Sequence, residues 1–448
     1  MNVCFISLGC DKNLVDSEVM LGLLRERGFS LTNDEACADI IVINTCCFIH
    51  DAKQESINTI LEMAEYKKLG RLKALIVAGC LAQRYQEEIT KEIPEVDALI
   101  GTTSQDAIVT VIDSVLENQS RNVFRDINYL ALPETNRVNT TGGYTSYLKI
   151  AEGCDKHCTY CAIPKMRGDY RSVPMERLVK EAEYLAEGGC KELILVAQET
   201  TLYGTDLYGK KALPELLKKL AAIEGLAWIR LLYCYPEEIT PELVQTIKEE
   251  PKICHYLDMP IQHASDHVLH EMGRRTSREE LEELIAMLRR EIPDVVLRTS
   301  LITGFPGETS QDHESLKEFV RNMRFERLGV FTYSKEEGTP AARRKDQVLK
   351  KEKVKRQKEL MKLQQQIAFE NAENMIGKKL DVMIEGRLVD EGVWIGRSYM
   401  DAPKVDGYVF LYADGEYLSG DIVRAEIMEA KGYDLVGRVI DEESKSDD

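Results

Sequence analysis

Runs of consecutive apolar residues, each followed by a stretch where apolar positions recur every three or four residues, set the rhythm of the first 120 or so residues. Val3–Leu8, Asp39–Asn44 and Ala74–Ala78 read as buried strands, and Asp16 to Arg27 reads as a helix stopped by Gly28. Strands that are apolar throughout and alternate with helices imply a doubly wound parallel sheet, and hence an α/β fold.

A Pro- and Asn-bearing stretch with a Thr-Thr-Gly-Gly turn signal, residues 122–143, predicts a linker between a first domain (residues 1–121) and a second series of the same kind (residues 144–342). Its strand candidates are Tyr147–Ala151, Leu193–Ala197, Ile229–Cys234, Tyr256–Met259, Val295–Ile302 and Leu328–Tyr333. The clearest helices between them are Met175–Glu187, Leu213–Ile223, Arg278–Arg290 and Gln311–Met323. Six β-α units predict an open, partial (β/α)6 barrel, short of the eight that close a full one. Residues 343–376 read as a basic linking helix. After Gly377 the pattern becomes short β segments (Leu380–Ile384, Val393–Arg397, Tyr408–Leu411, Ile422–Ala430) broken by Gly and Asp, as in a small β-barrel over residues 377–441. The last residues, 442–448, read as a disordered tail.

Composition changes this picture in two places. The chain of 448 residues is 44% apolar and 30% charged, which is ordinary for a globular protein. Its longest apolar runs, such as Ile40–Ile43, fall far short of a membrane span, and the start MNVCFISLGC reads as a first strand and not a secretory signal. A cytoplasmic location is therefore expected, with no membrane partner. The net charge of −18 disfavours a broad grip on nucleic acid and favours a basic partner. From Arg343 to Lys362, however, ten Lys/Arg face three Asp/Glu, so this helix is either a solvated link or an arm toward RNA. From Gly377 onward, 9 Lys/Arg against 17 Asp/Glu give 9 − 17 = −8, an acidic barrel ill matched to phosphates.

Twelve cysteines in a reducing compartment call for something other than disulfides. Cys4, Cys37, Cys47, Cys190, Cys234 and Cys254 lie mostly in or beside apolar segments and read as packing residues. Cys10, Cys46 and Cys80 each follow a strand of the first sheet, at the carboxyl edge where open α/β sheets place ligands, so three distant cysteines converge. Cys154, Cys158 and Cys161 form a C-x-x-x-C-x-x-C directly after a strand. Three thiolates at this spacing wrap three irons of a [4Fe–4S] cube and leave the fourth without a protein ligand, open to a substrate. A structural zinc site is the alternative, but it requires four closed ligands, and His157 is awkwardly placed beside Cys158 to be the fourth.

On the first strand of a six-unit partial barrel, the Cys154/Cys158/Cys161 motif resembles that of the radical S-adenosylmethionine (AdoMet) superfamily. That resemblance implies that AdoMet chelates the open iron and is cleaved by one electron to methionine and a 5′-deoxyadenosyl radical, with Tyr160 where such enzymes carry an aromatic residue near the adenine. Ser-Leu-Gly-Cys10-Asp-Lys-Asn-Leu-Val-Asp-Ser-Glu, Asn-Thr-Cys46 and Ala-Gly-Cys80-Leu are similar to the N-terminal signatures of methylthiotransferases. In that family three such cysteines hold a second [4Fe–4S] cluster. Asp11 and Cys47 stand where the family usually has Pro and Gly, which leaves Cys47 as an alternative ligand to Cys46.

Two subclasses of the family are in play. One modifies a tRNA adenosine; the other methylthiolates the β-carbon of an aspartate in small-subunit ribosomal protein S-twelve. The wording from Cys10 to Glu18 and the run Ala402-Pro403-Lys404-Val405-Asp406-Gly407 resemble the second. The terminal barrel looks like a TRAM domain, normally an RNA binder, yet its acidity suits a basic ribosomal protein. The resemblance implies two AdoMet molecules per turnover and an external electron donor. Nucleic acid would be met only through the ribosome or the basic helix. An iron–sulfur electron carrier without catalysis is the rival from another class.

Further residues are candidates for contacts around these centres. Gly304 and Gly307, in a Gly-Phe-Pro-Gly turn after a strand, resemble the segment near AdoMet in this superfamily. Gln198 and Glu199 end one strand and Gln262-His263 another, so Gln198 is expected on AdoMet and His263 on substrate, as a proton donor or acceptor near neutral pH. Arg167 and Arg171, just past the cysteine loop, are candidates for binding a carboxylate through paired N–H groups. Asp406 is expected on the face that docks the substrate.

Overall fold

The computed structural model describes residues 1–440 apart from Ser120 and Thr135, so the expected tail lies outside the described residues. The first domain is a five-stranded, fully parallel sheet of β1 (Asn2–Ser7), β2 (Ser30–Thr32), β3 (Ile40–Thr45), β4 (Ala74–Gly79) and β5 (Ala98–Ile100), ordered β2-β1-β3-β4-β5. The central strands β3 and β4 are buried at every position, as parallel strands covered on both faces must be. Pattern reading predicted three strands here. The two it missed, β2 and β5, have three residues each at the edges, too short to show a period.

The second sheet is also parallel: β6 (Thr145–Lys149), then β9 (Glu192–Val196), β10 (Trp228–Leu231), β11 (Ile253–Asp258), β12 (Val296–Thr303) and β13 (Arg327–Thr332), side by side in chain order. This is the expected six-strand partial barrel. The predicted strand Tyr147–Ala151 divides: β6 ends at Lys149, and a short β7 (Ala151–Glu152) pairs antiparallel with β8 (Arg171–Ser172). That small ladder clasps residues 153–170 into a loop carrying the cysteine motif. β10 stops at Leu231 instead of Cys234, because Tyr233 takes a left-handed backbone (φ 61°) that no strand tolerates. The helices Arg278–Glu291 and Ser310–Met323 both start with capping boxes, Ser277 with Glu280 and Thr309 with Asp312.

A 24-residue helix, Lys350–Glu373, follows. It is not a free link. Arg356, Leu360, Gln364 and Ile367 are buried; Arg356 pairs with Glu308, and Gln364 donates to the Phe325 carbonyl. Its outer face keeps Lys350, Lys351, Lys355, Lys358 and Lys362 along a shallow cavity.

The chain ends in a closed barrel, β14-β15-β16-β18-β17, of β14 (Lys379–Leu388), β15 (Val393–Ser398), β16 (Val409–Tyr412), β17 (Ile422–Lys431) and β18 (Asp434–Val439). The last strand escaped the pattern reading, yet closure depends on it. It runs parallel to β16 and antiparallel to β17. Among the described residues no helix is long and apolar enough to cross a membrane.

The linker predicted at residues 122–143 is pinned. Arg137, 2% exposed, donates to Glu18 at 2.9 Å, and Val138 N–H and Thr140 N–H bond the backbone and side chain of the same Glu18. Glu18 lies in the helix Asp11–Glu26, so this strap holds the first sheet against the barrel.

Candidate active site at the seam between sheet and barrel

The first cysteine triad sits where the sheet edge predicts. Cys10 caps the helix Asp11–Glu26 with an extended backbone and no side-chain cap bond. Cys80 opens the helix Cys80–Arg84, and Cys46 follows β3 directly. The helix begins at Asp11, five residues before the predicted Asp16, which sets Cys10 at its positive end. Gly9 makes the approach possible: at φ 90°, a Cβ there would lie 2.6 Å from Cys46 Cβ and 3.0 Å from Cys46 Sγ. Asn13 Oδ1 accepts from Cys80 Sγ at 3.9 Å, while its amide donates to the Leu8 and Thr45 carbonyls. Cys10 is exposed; Cys46 and Cys80 are buried. Burial, with Cys80 and Cys10 nearby, pushes the Cys46 thiol up to about 12.

Cys47 is the neighbouring thiol. It lies 3.2 Å from Met166 Sδ, wholly buried in the apolar cluster with Leu75, Val77, Leu81 and Cys80. Both Cys46 and Cys47 lie near Cys80; Cys47 packs against Met166, while Cys46 borders Gly9.

The second triad lies on the clasped loop. Cys154 N–H donates to the Gly168 carbonyl at 3.1 Å, and Gly153 (φ 80°) passes so close to the backbone at Gly168 and Asp169 that a Cβ would collide with it. Cys161 Sγ accepts from Ile163 N–H at 3.4 Å. Thr159 ties the loop to the rest of the barrel through the Met272 and Glu271 carbonyls. Burial pushes the Cys154 and Cys161 thiols up to about 12. Buried thiols in this condition keep their protons unless a metal displaces them, which is the behaviour expected of cluster ligands. Among the described residues no three His, Cys, Asp or Glu side chains close on a single point. The thiolates of a four-iron cube bind separate irons and have no such need.

The two triads share one seam. The helix Ile163–Arg167, which leaves the second triad, packs against the helix that Cys80 begins, and Met166 and Ala162 belong to the same apolar cluster as Cys80. At its end Arg167, 2% exposed, donates to Asp16 at 2.7 Å and to Glu152 at 3.1 Å, bonds Asn13 Oδ1, and lies beside Cys80. Lys149 joins Asp16 and Glu152 from the other side. Burial raises the Glu152 carboxyl, but Arg167 and Lys149 outweigh it and hold it at about 2. A cavity of about 540 Å³ opens beside this cluster, lined by Asp16, Lys149 and Glu152 and roofed by residues 129–134.

Around the second triad, polar groups are left without partners. Arg274, 7% exposed, lies against the Tyr235 ring and near Cys158 and Tyr160. One nitrogen donates to the Pro260 carbonyl at 3.0 Å; Nε and Nη1 bond nothing. Glu199, at the end of β9, accepts from Thr201 with one oxygen and has nothing on the other, near Cys154 and Lys156. Burial raises its carboxyl to about 7. Sequence reading named Glu199 beside Gln198 but passed over Arg274, which carries no motif. Only its burial without an acidic partner singles it out.

The other expected residues divide. Tyr160 lies on the loop itself, edge-on to Phe305 with ring centroids 6.4 Å apart. Gln198 donates to Glu152 at 2.7 Å, and its amide oxygen is unpartnered. Gly304 and Gly307 face Lys353 and Arg344, and Glu308 takes the amides of Gly304 and Phe305, so this turn reaches the loop through Phe305 and not through its glycines.

Four expectations are corrected. Arg167 is fully engaged in the seam and does not wait for a substrate. Arg171 donates to the Arg167 and Asp169 carbonyls and braces the loop. His263 is wholly buried, its Nδ1 accepts from Ser265 N–H at 2.9 Å, and burial lowers its pKa to about 3, so near neutrality it is uncharged, with its one ring proton on Nε2. Asp406 accepts from Tyr256 Oη at 2.7 Å and from Ala402 N–H at 2.9 Å; it fastens the small barrel to β11.

The fold and the loop after its first barrel strand define the class: residues 148–320 match the Radical SAM superfamily, residues 2–101 match the Uncharacterized protein family UPF0004, and residues 376–440 match the TRAM domain. Among solved structures the fold resembles a radical S-adenosylmethionine methyltransferase, TsrM from Kitasatospora setae. The TM-score is 0.56 at 13% identity, covering 85% of this chain and 80% of that one. Over 437 residues the chain is 72% identical to the ribosomal protein uS12 methylthiotransferase RimO of Lachnoclostridium phytofermentans, covering 98% of this chain and 99% of that one. It is 50% identical to the protein of that name from Thermoanaerobacter sp., over 97% and 99% of the two chains. The chain belongs to the RimO family of methylthiotransferases.

Proposed function

We propose that this protein is a radical AdoMet enzyme that methylthiolates the β-carbon of an aspartate in ribosomal protein uS12, the substrate named for its relatives. Cys154, Cys158 and Cys161 would hold the [4Fe–4S] cluster whose open iron takes AdoMet, and Cys10, Cys46 and Cys80 a second one. The observation that carries this reading is the packing of the helix Ile163–Arg167 on the helix that begins at Cys80, which joins the two triads across one seam. When bound, cluster and AdoMet supply a radical able to break an unactivated C–H bond, which acid–base catalysis does not readily do.

The chain's own groups support the AdoMet assignment. The methionyl end of AdoMet is a zwitterion. Arg274, near Cys158, offers two free nitrogens, Nε and Nη1, for its carboxylate, and Glu199, near Cys154, a free oxygen for its ammonium. Tyr160 and Phe305 offer an aromatic edge for the adenine. A one-electron donor outside the chain completes the requirements. The acidic terminal barrel suits a basic protein partner, and the lysines on the outer face of helix Lys350–Glu373 suit the RNA around it.

Intact-mass analysis of uS12 from cells with and without this gene tests the assignment. A methylthio increment only when the gene is present is expected; identical masses, with methylthioadenosine gained in bulk tRNA, overturn it in favour of the tRNA reaction.

A further inference from the structure

Seven Lys and Arg side chains among the described residues are buried: Lys12, Arg137, Arg167, Arg230, Arg274, Arg356 and Arg397. Five of them pair with carboxylates: Arg137 with Glu18, Arg167 with Asp16 and Glu152, Arg230 with Glu192, Arg356 with Glu308, and Arg397 with Glu192 and Glu385. A buried cation without a counter-charge is costly, so these pairings are the expected condition. Lys12 and Arg274 are the two exceptions. Each stands at one of the cysteine triads, where the protein must receive something from outside.

Arg274 is accounted for by the carboxylate of AdoMet, as above. Lys12 is not. It lies two residues past Cys10, on the first turn of the helix Asp11–Glu26, and reaches across to the barrel mouth, where its ammonium sits 3.3 Å from the ring centroid of Tyr233. That ring stabilises the cation by its quadrupole but supplies no negative charge. The titratable groups that bear on Lys12 are Tyr233 first, whose hydroxyl is neutral, then Cys10 and Asp11, and among the described residues no carboxylate makes an ion pair with it. The backbone at Tyr233 holds a strained left-handed conformation, and so does Gln262, past the end of the neighbouring strand β11. Strain of this kind persists where surrounding structure fixes a functional geometry.

From this we infer that Lys12 is the counter-ion for the carboxylate of the target side chain, and so selects an acidic residue over an uncharged one. This rests on the aspartate methylthiolation proposed above and names the residue that recognises the aspartate. A target held here lies between Cys10 and the barrel mouth. Its carboxylate meets the ammonium, and its β-carbon, one bond away from that carboxylate, faces the space between the triads. An adenine base has no charge to offer and would leave Lys12 unpaired.

The test uses the anaerobically reconstituted full-length enzyme with AdoMet, and measures the affinity for fluorescently labelled uS12 and for uS12 whose target aspartate is replaced by asparagine. The unsubstituted enzyme is expected to prefer the aspartate form by about 30-fold or more, as for a buried charge pair losing one member. In Lys12→Met the preference falls to near unity, and Lys12→Arg, which keeps the charge, retains most of it. Iron content and the cluster absorption band report whether each variant is assembled. Should Lys12→Met fail to load its clusters, Lys12→Gln takes its place against Lys12→Arg. A preference that survives in Lys12→Met or Lys12→Gln overturns the inference while leaving the reaction intact. An enzyme that neither binds nor modifies uS12 but methylthiolates tRNA overturns the proposed function, and the role of Lys12 with it.

Discussion

Arg167 Nη1 lies 2.7 Å from Asp16 Oδ2, and both side chains are almost wholly buried between the parallel sheet and the barrel. One belongs to the helix that leaves the second cysteine triad, the other to the helix that Cys10 caps. The bond thus ties together the two helices on which the cysteine triads begin and end.

Breaking this pair should loosen the seam. Arg167→Ala leaves Asp16 and Glu152 buried with only Lys149 to balance them, at a cost of about 3–5 kcal/mol. A lower thermal midpoint is expected, together with loss of iron from the first triad before the second, measured by iron content and by electron paramagnetic resonance of the reduced protein. An unchanged midpoint and full iron content would remove Arg167 from this role.

Cys46 and Cys47 are separable. Cys46→Ser should remove one of two clusters, leaving about four irons per chain in place of about eight. Cys47→Ser should keep both, and cost stability instead, because it places a hydroxyl against Met166 in an apolar cluster. Equal iron loss in the two variants would mean that either thiol can serve.

The attachment of the terminal barrel should depend on pH in acid. Glu192 on β9 accepts from Arg397 Nη2 and Arg230 Nε, each at 2.7 Å, and all three side chains are fully buried. Burial raises the Glu192 carboxyl, but the two guanidinium groups prevail and hold it at about 2. Its folded pKa is below the unfolded value of about 4.3, so its contribution is fully present above that value and is lost as pH falls toward 2. The contribution is about 3 kcal/mol by this linkage. Limited proteolysis between pH 5 and 3 is expected to release the small barrel progressively. In Glu192→Gln the release occurs already at neutral pH.

His263 should act on stability and not on catalysis. Its folded pKa, lowered to about 3 by burial, lies below the unfolded value of about 6.5, so the unfolded chain takes up a proton that the folded one refuses. Stability therefore declines as pH falls from about 6.5 toward 3, and His263→Asn flattens that slope in denaturant titrations. The rate profile between pH 6.5 and 8 keeps its shape in this variant. A displaced inflection there would restore the proton-transfer role expected from its place at a strand end.

What the sequence determined by itself was whatever depends on local pattern and spacing. Apolar runs alternating with helical periods gave both parallel sheets. The Cys154/Cys158/Cys161 spacing put three thiols on one loop. Cys10, Cys46 and Cys80, each just after a strand, were placed together, since every parallel strand delivers its carboxyl end to the same edge. Elements of three residues, such as β2 and β5, and β18, which closes the small barrel, escaped because so short or irregular a run shows no period. The roles of single charged residues were decided only by tertiary structure. Arg167, Asp406 and His263 look alike in sequence to ligand-binding groups, but each found a partner or a burial distant in the chain: Asp16, Tyr256 and the interior behind Ser265. Arg274 and Lys12 became conspicuous for the opposite reason. Whether a charge is satisfied depends on what the fold brings to it, and only the fold shows which charges were left for something else to meet.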